Sequence, residues 1–568
     1  MSTHARPLAD RLAAAGDDDL IRLFAARGVR ADPGWHDFFD AAEALLDPSS
    51  LAKALPRLTS DEAAALLRAH DEGDAGTQRD ALDALALLAP DGSTWPELAT
   101  ALEGRPIPVP LEASLRQPSE PAAAHAAERA FTTVAVLADL LMITRDAPFS
   151  LLASGTVSAA EKRQLADAGI AVELVDALVS IAVDAGLATA AERRLRVTAD
   201  GDGWLRSSAS DRWTRLATSF RDALPRGVRT PNGGWIATDN WIDAHPWDPA
   251  WPDRSHALRE TARLLGLVAE NGSEPAWATS LREGGPADTS ELTVLLPAEV
   301  DRIFLQNDLT AIAPGPLTPA LDVRLRTIAA RESAAQASSY RFTAESIAHA
   351  FVVGESEQGI LDFLGGISLT GIPQPLAYLI AQTAQRHGLV RVSTDDETGR
   401  TRIESDDRNL IDAMAVDQSL RPLGLTAHVG SLTSKVGRDT VYWALTDARY
   451  PATLIGADGA PLIGDRHPPR TASGAAAAVV DYAPLIARLR SRQGPDADAA
   501  WLDRELDAAV RARAVLRVTV GMPDGSSREL LLEATGLGGG RLRGRDRAAD
   551  VERTLPVSSI LSATIVAP

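Results

Sequence analysis

Cysteine is absent from all 568 residues, which excludes disulfides, thiol nucleophiles and thiolate metal ligands together. Lysine is almost absent as well. Only Lys53, Lys162 and Lys435 occur among 57 basic residues, and none follows a glycine. A P-loop needs Gly-Lys-Ser/Thr, because the lysine reaches the β- and γ-phosphates from a glycine-rich turn, so no nucleotide motor of that kind is encoded. The ten histidines include no pair at i, i+3 or i, i+4, the spacing that sets two metal ligands on one helix face. No Gly-x-Ser-x-Gly elbow occurs. Asp200-Gly201-Asp202-Gly203 lacks the twelve-residue calcium pattern ending in glutamate and reads as a hairpin turn. Gly536 to Gly540 follows a strand but opens no helix, so it reads as a strand connection rather than a phosphate cradle. No catalytic residue, metal or cofactor is indicated. Met1 to Asp19 has no apolar signal-peptide core. The most apolar run, Val134 to Ile143, is interrupted by Asp139 and too short to span a bilayer. A cytoplasmic protein with no membrane partner is expected.

What is present is an ordinary globular composition, 45% apolar and 24% charged, in a chain long enough for three to five domains. The net charge of −20 argues against a coat of nucleic-acid-binding charge, yet leaves room for a local basic face. Residues 1–104 read as a helical domain. Asp17 to Asp19 begin a helix that Gly28 ends, Thr59 and Glu62 form a capping-box pattern, and Ala81 to Leu88 is a third periodic segment. Prolines at 106, 108, 110, 118 and 121 make 105–122 a linker or strap.

Within 123–270, helices near 127–145, 158–168 and 171–186 lead to strands at 187–189 and 194–197, the order of a winged helix. Trp235, Trp241, Trp247 and Trp251 extend that domain. A polar linker follows at 271–290. The next unit, 291–465, opens with strands Leu292 to Leu296 and Ile303 to Leu305. Four helices then lead to a second hairpin near 389–403. Residues 466–500 read as a linker. Residues 501–568 read as a helix followed by a small all-β barrel or curled sheet. The expected fold class is therefore multidomain and predominantly α with winged-helix modules (α+β), closing on a barrel-like β domain.

In the third unit, Tyr340-Arg341-Phe342-Thr343, Ser346, Gly354, Ile360, Leu364, Ser368, Thr370-Gly371-Ile372-Pro373 and Gly388 to Val392 resemble the N-terminal domain of XPB-type DNA helicases. The segment Arg302 to Thr310 is similar to a strand in actinobacterial helicase-associated proteins carrying that domain, and to a TFIIH subunit segment that docks onto XPB. Residues Asp17 to Leu67 resemble the start of the same bacterial proteins. Ala508 to Ile560 is similar to a WYL domain, although Arg541-Leu542-Arg543 stands where that family has Trp-Tyr-Leu. The resemblance implies an accessory protein in DNA repair or transcription, with DNA and an XPB-type helicase as partners.

Nine arginines (193, 194, 196, 206, 212, 215, 221, 226 and 229) face only four aspartates between Arg193 and Arg229. Arg193, Arg194, Arg196 and Arg206, on and after the wing, are candidate phosphate contacts; a solvated face in an arginine-biased chain is the other reading. Alternation places Arg541, Arg543, Arg545 and Arg547 on one side of a strand, a second candidate DNA contact. Asp546 and Asp550 are candidates for ordinary surface ion pairs there. Tyr340, Phe342, Trp241 and Trp247 are candidate partner-binding residues, although tryptophans in a proline-containing loop more often pack against the nearest domain. His387 ends the helix near 373–387, where the helix dipole favours a histidine, and reads as a cap rather than a catalytic group. A non-enzymatic helicase-associated DNA-binding accessory protein is the leading expectation. A ligand-responsive WYL-type regulator and a protein-only scaffold are the alternatives.

Overall fold

The computed structural model describes residues 5–111, 116–334, 337–395, 398–464, 466, 480–493, 495–522 and 525–566. Its architecture is mixed α/β, with helices in every unit and four separate sheets.

The N-terminal unit is helical because its local signals agree with its apolar spacing. Gly28, at φ 65°, ends the helix Asp17–Arg27, its N–H turned back to the Phe24 and Ala25 carbonyls. Thr59 and Glu62 form a reciprocal capping box on the helix Ser60–Asp71. Leu8, Leu20, Phe24, Phe38, Leu66 and Trp95 fill the core. The segment 81–88 differs from expectation: the helix Arg79–Ala84 stops early, with Ala86 at φ 54°.

Two expected linkers are structural instead. The helix Ala483–Ser491, within 466–500, inserts Leu485, Ile486 and Leu489 into the N-terminal core, together with the preceding Tyr482. Each such burial is worth roughly 2 kcal/mol. The Tyr482 hydroxyl donates to Val29 O at 2.7 Å, and Arg490 reaches the Ala13 and Ala15 carbonyls. Likewise, 271–290 contains the helix Ala276–Arg282, which buries Trp277 and Leu281 in the middle core. Both stretches looked like linkers because their few apolar residues are flanked by Gly, Pro and Ser, and the partners that bury them are distant in sequence.

The middle unit is built on the 27-residue helix Glu120–Asp146. Helices Ala159–Asp167 and Val175–Asp184 follow, then the antiparallel hairpin Ala188–Ala191 and Arg194–Val197. Phe149 and Leu151 pair with Leu195 and Arg193, adding a third extended segment beside the hairpin. Asp200 to Gly203 is not the hairpin turn. It lies in the helix Ala199–Trp204, which Thr198 caps by accepting the Gly201 N–H at 3.0 Å. A Cβ at Gly201 would collide with the Leu187 carbonyl, so glycine there allows the helix to lie against the strand entry. The turn itself is Glu192-Arg193, both at positive φ (54° and 59°). Leu292 to Leu296, expected as a strand, falls largely in the helix Ser290–Leu295, whose Leu292 packs on the middle core.

The third unit holds two cores. The first packs the sheet Phe304–Leu305, Thr310–Ala313, Ser338–Arg341 and Ala330–Ala334 against helices Pro319–Ile328, Ala344–Val352, Glu357–Ile367 and Gln374–Arg386. The second lies on a six-stranded sheet that begins with the hairpin Val390–Thr394 and Thr401–Ser405. The C-terminal unit sets the helix Pro495–Ala512 on five antiparallel strands. Among the described residues no ladder joins its edge strands, Val551–Pro556 and Ile560–Val566, so the sheet is open rather than a closed barrel. The turn residues Pro523 and Asp524 lie outside the described residues. No described helix is long and apolar enough to cross a membrane.

Candidate nucleic-acid interface

The first hairpin displays its arginines because strand alternation buries Leu195 and Val197 and turns Arg194 and Arg196 the other way. Neither Arg194 nor Arg196 is paired with a carboxylate among the described residues. Arg193 sits in the turn with its Nε on Leu151 O at 3.4 Å. A left-handed conformation costs an L-residue about 1 kcal/mol, so an Arg at that position is held there by its surroundings.

The other arginines of the run have different duties. Arg206 is paired with Asp202. Arg212 is buried, lies over the Trp204 ring and donates to the Trp204 and Leu205 carbonyls; burial lowers its pKa to about 10. Arg215 and Arg221 donate to the carbonyls of Ala185 and Gly285, Arg226 meets Glu62 at 2.6 Å, and Arg229 donates to Asp222 O. The sequence cluster is thus mostly internal fastening. Arg193, Arg194, Arg196 and Arg229 lack a carboxylate partner among the described residues and are not buried, and the first three stand together on the hairpin.

The second helix–hairpin block has the reverse layout. Along the helix Gln374–Arg386, the residues Gln374, Tyr378, Gln382 and Arg386 recur every four positions and are exposed, Tyr378 by 67%. Its hairpin arginines are neutralised: Arg391 meets Asp406 at 3.2 Å and Arg402 meets Glu404 at 2.7 Å. His387 follows the helix at its C-cap, packs on Phe351 and shares a hydrogen bond with Thr453. Its backbone N–H turns back to the Thr383 and Ala384 carbonyls, the capping role expected, while burial of the ring pushes its pKa down and opposes a charge there.

In the C-terminal sheet, Arg541, Arg543 and Arg545 are exposed on one face of the strand Arg541–Asp546, with Leu542, Gly544 and Asp546 buried on the other. Arg545 pairs with Asp550 at 2.7 Å, whereas Arg541 and Arg543 have no carboxylate partner among the described residues. Arg547 departs from the expected stripe: it lies in the turn after the strand, 3.7 Å from Glu533. Asp546 is not a surface ion-pair residue either. Only 2% exposed, it holds that turn through the Ala548 and Ala549 N–H groups and pairs with Arg553 at 2.6 Å.

All four candidate partner-binding residues are core residues, and this corrects the sequence expectation. Trp241 donates to Ile236 O at 2.9 Å, and Trp247 donates to Pro106 O at 2.9 Å beneath Arg105. Phe342 is buried in the first core of the third unit. The buried Tyr340 hydroxyl donates to Asp322 at 2.6 Å, and desolvation with that carboxylate raises its pKa. Asp322 belongs to a partly buried network. Arg326 meets it at 3.6 Å and Asp139 of the Glu120–Asp146 helix at 2.8 Å, and Arg331 also pairs with Asp139.

That network stands beside a cleft of about 1150 Å³ between the middle and third units. Its walls include Arg145, Arg206, Arg324, Arg386, Arg449 and Arg466. These residues come from helix ends and loops separated by hundreds of positions, and the sequence carried no shared motif to gather them. The one local signal is Arg449, which occupies the glycine-favouring position after the helix Arg438–Asp447 at φ 63°, with Tyr450 N–H closing onto Leu445 O. No group of His, Asp or Glu among the described residues could hold a metal ion.

Residues 303–428 match the family described as Helicase conserved C-terminal domain. The match begins in the first core of the third unit and runs through the second hairpin into the six-stranded sheet. It supports a helicase-associated protein with a role connected to nucleic acid. No curated protein matches the chain.

Proposed function

We propose that the protein is a non-enzymatic, helicase-associated accessory protein that binds DNA and engages an XPB-type helicase in repair or transcription. One observation carries the reading: a helicase-related domain at 303–428 stands in a chain whose 568 residues contain no Gly-Lys-Ser/Thr to drive a motor. The protein then acts through surfaces. The order helix, extended segment, helix, helix, hairpin over Glu120–Val197 supports a winged helix, whose open arginines Arg193, Arg194 and Arg196 would meet phosphates. Arg541 and Arg543 are a second, separate contact of the same kind.

A regulator that reads an operator is less well supported. The helix Val175–Asp184, which such a reader would place in the major groove, buries Val175, Leu178, Val179, Ile181 and Ala182 and carries Asp176 and Asp184 but no basic residue.

The test is to add the purified full chain to the host's XPB-type helicase and to labelled duplex DNA. Altered helicase ATPase activity, together with DNA retention that weakens with salt but tolerates sequence changes, is expected. ATP turnover by the protein alone would overturn the reading, as would failure to retain DNA at ~50 mM salt with no effect on the helicase.

A further inference from the structure

We propose that the cleft between the middle and third units binds a nucleoside phosphate, either free or as one unit of a single strand. This site is distinct from the arginine hairpin and does not depend on it.

The charge pattern of the walls comes first. Asp202 is already engaged by Arg145 at 3.5 Å and by Arg206. Glu355 takes a two-pronged contact from Arg324, 2.9 Å at each oxygen. Asp447 takes another from Arg466, at 2.8 and 2.7 Å. These three carboxylates are therefore neutralised where they stand; Asp146, 3.8 Å from Arg145, and Glu345 also line the cleft. Arg386 has no side-chain partner among the described residues. Arg449 feels Glu345 only through space, without a hydrogen bond between them. Arg386 and, opposite Glu345, Arg449 are thus the two cleft arginines without a hydrogen-bonded carboxylate among the described residues, and a guanidinium fork matches phosphate geometry.

The second observation is a flat platform. The Arg466 guanidinium lies 5.5 Å from the Trp443 ring centre, and Asp447 fixes its orientation. Trp443 is itself braced by Tyr442 at 4.7 Å between ring centres. Trp443 and Arg466 both line the cleft. Bases stack on aromatic rings and on guanidinium planes alike. Val352, Val353 and Ile463 supply apolar wall beside it. The volume, about 1150 Å³, lies just above the ~300–1,000 Å³ of ordinary small-molecule sites, room enough for a nucleotide.

The third observation is the backbone of Arg449. Glycine is favoured at φ 63° after a helix, yet the chain places an arginine there, at a position that lines the cleft.

The experiment is calorimetric titration of the full chain with GMP, dTMP, inorganic phosphate and a dT hexamer, repeated on Arg386→Gln, Arg449→Gly and Trp443→Leu. Saturable nucleotide binding is expected, weakened about tenfold or more by each arginine variant, as for loss of a charge-assisted contact. Arg449→Gly is expected to raise Tm while weakening binding, opposite directions that a folding defect does not produce. Trp443→Leu should weaken nucleotides more than phosphate. Tighter binding of the hexamer than of dTMP marks a strand as the source, and equal binding marks a free nucleotide. No binding of any probe at ~1 mM, or unchanged binding in both arginine variants, would overturn the proposal. So would phosphate binding as well as nucleotide with Trp443→Leu without effect.

Discussion

The two helix–hairpin blocks share an order of elements and divide their chemistry in opposite ways. In the first, the helix before the hairpin is mostly buried and acidic, while Arg194 and Arg196 of the hairpin stand open. In the second, the helix presents Gln374, Tyr378, Gln382 and Arg386, while hairpin arginines Arg391 and Arg402 are matched by acids. A shared topology therefore does not transfer a binding surface from one block to the other. The surface is set by which positions the surrounding helices bury and which charges the neighbouring strand supplies.

The largest expected effect breaks the joint between the blocks. Asp139 of the first block's long helix is 16% exposed and balances Arg326 and Arg331 of the third unit. Asp139→Ala takes from the partly buried Arg331 its ion-pair partner and from Arg326 the nearer of its two carboxylates, Asp322 remaining, and is expected to cost about 3 kcal/mol, read as a fall in the urea midpoint. Glycine substitutions then separate the blocks. Gly201→Ala drives a methyl into the Leu187 carbonyl and is expected to destabilise by about 2–3 kcal/mol. Gly366→Ala, in the second block's helix Glu357–Ile367 with open space around it, is expected to stabilise by about 0.5 kcal/mol. Thermal melts of the two variants should move in opposite directions.

Charge provides the third contrast. Replacing Arg193, Arg194 and Arg196 together by Ala is expected to lower the slope of log affinity for duplex DNA against log salt by about 3. The pair Arg391→Ala and Arg402→Ala should leave that slope unchanged, because those side chains are already neutralised.

The smallest effect is in pH. His387 of the second block is held below its ordinary pKa of 6.5 by burial. His245, beside the first block, is held below it by burial and by the nearby cations Arg254 and Arg226, against the opposing Leu58 carbonyl and Asp248. The unfolded chain then binds more protons than the native one just below 6.5, so stability falls as pH drops through that value. His387→Gln and His245→Gln should each flatten part of that fall in melts recorded from pH 7.5 to 5.5.

Local signals were legible in the sequence. The Thr59–Glu62 capping box, the Gly28 stop, the third-unit helices and the Arg541/Arg543/Arg545 alternation all depend on neighbours a few residues apart. The misreadings share the opposite cause. Asp200 to Gly203 has a turn's composition, but Thr198 caps it and Leu187 leaves room only for glycine, so it folds as helix. The helix Ala483–Ser491 looked like linker because its core lies more than 400 residues earlier. Trp241 and Trp247 suggested an interface, yet the Ile236 and Pro106 carbonyls that satisfy their indoles are visible only in the folded chain. The positive surface was legible only as a count. Which arginines fasten carbonyls and which stay open depends on acids and backbone brought in from elsewhere.

The most direct measurement is the affinity of the full chain for labelled duplex DNA across a salt series, with and without the Arg193/Arg194/Arg196→Ala change. Sequence-tolerant binding that declines log-linearly with salt, and loses about three units of slope in the triple variant, is expected. Identical slopes for the two proteins, or binding that ignores salt, would contradict it.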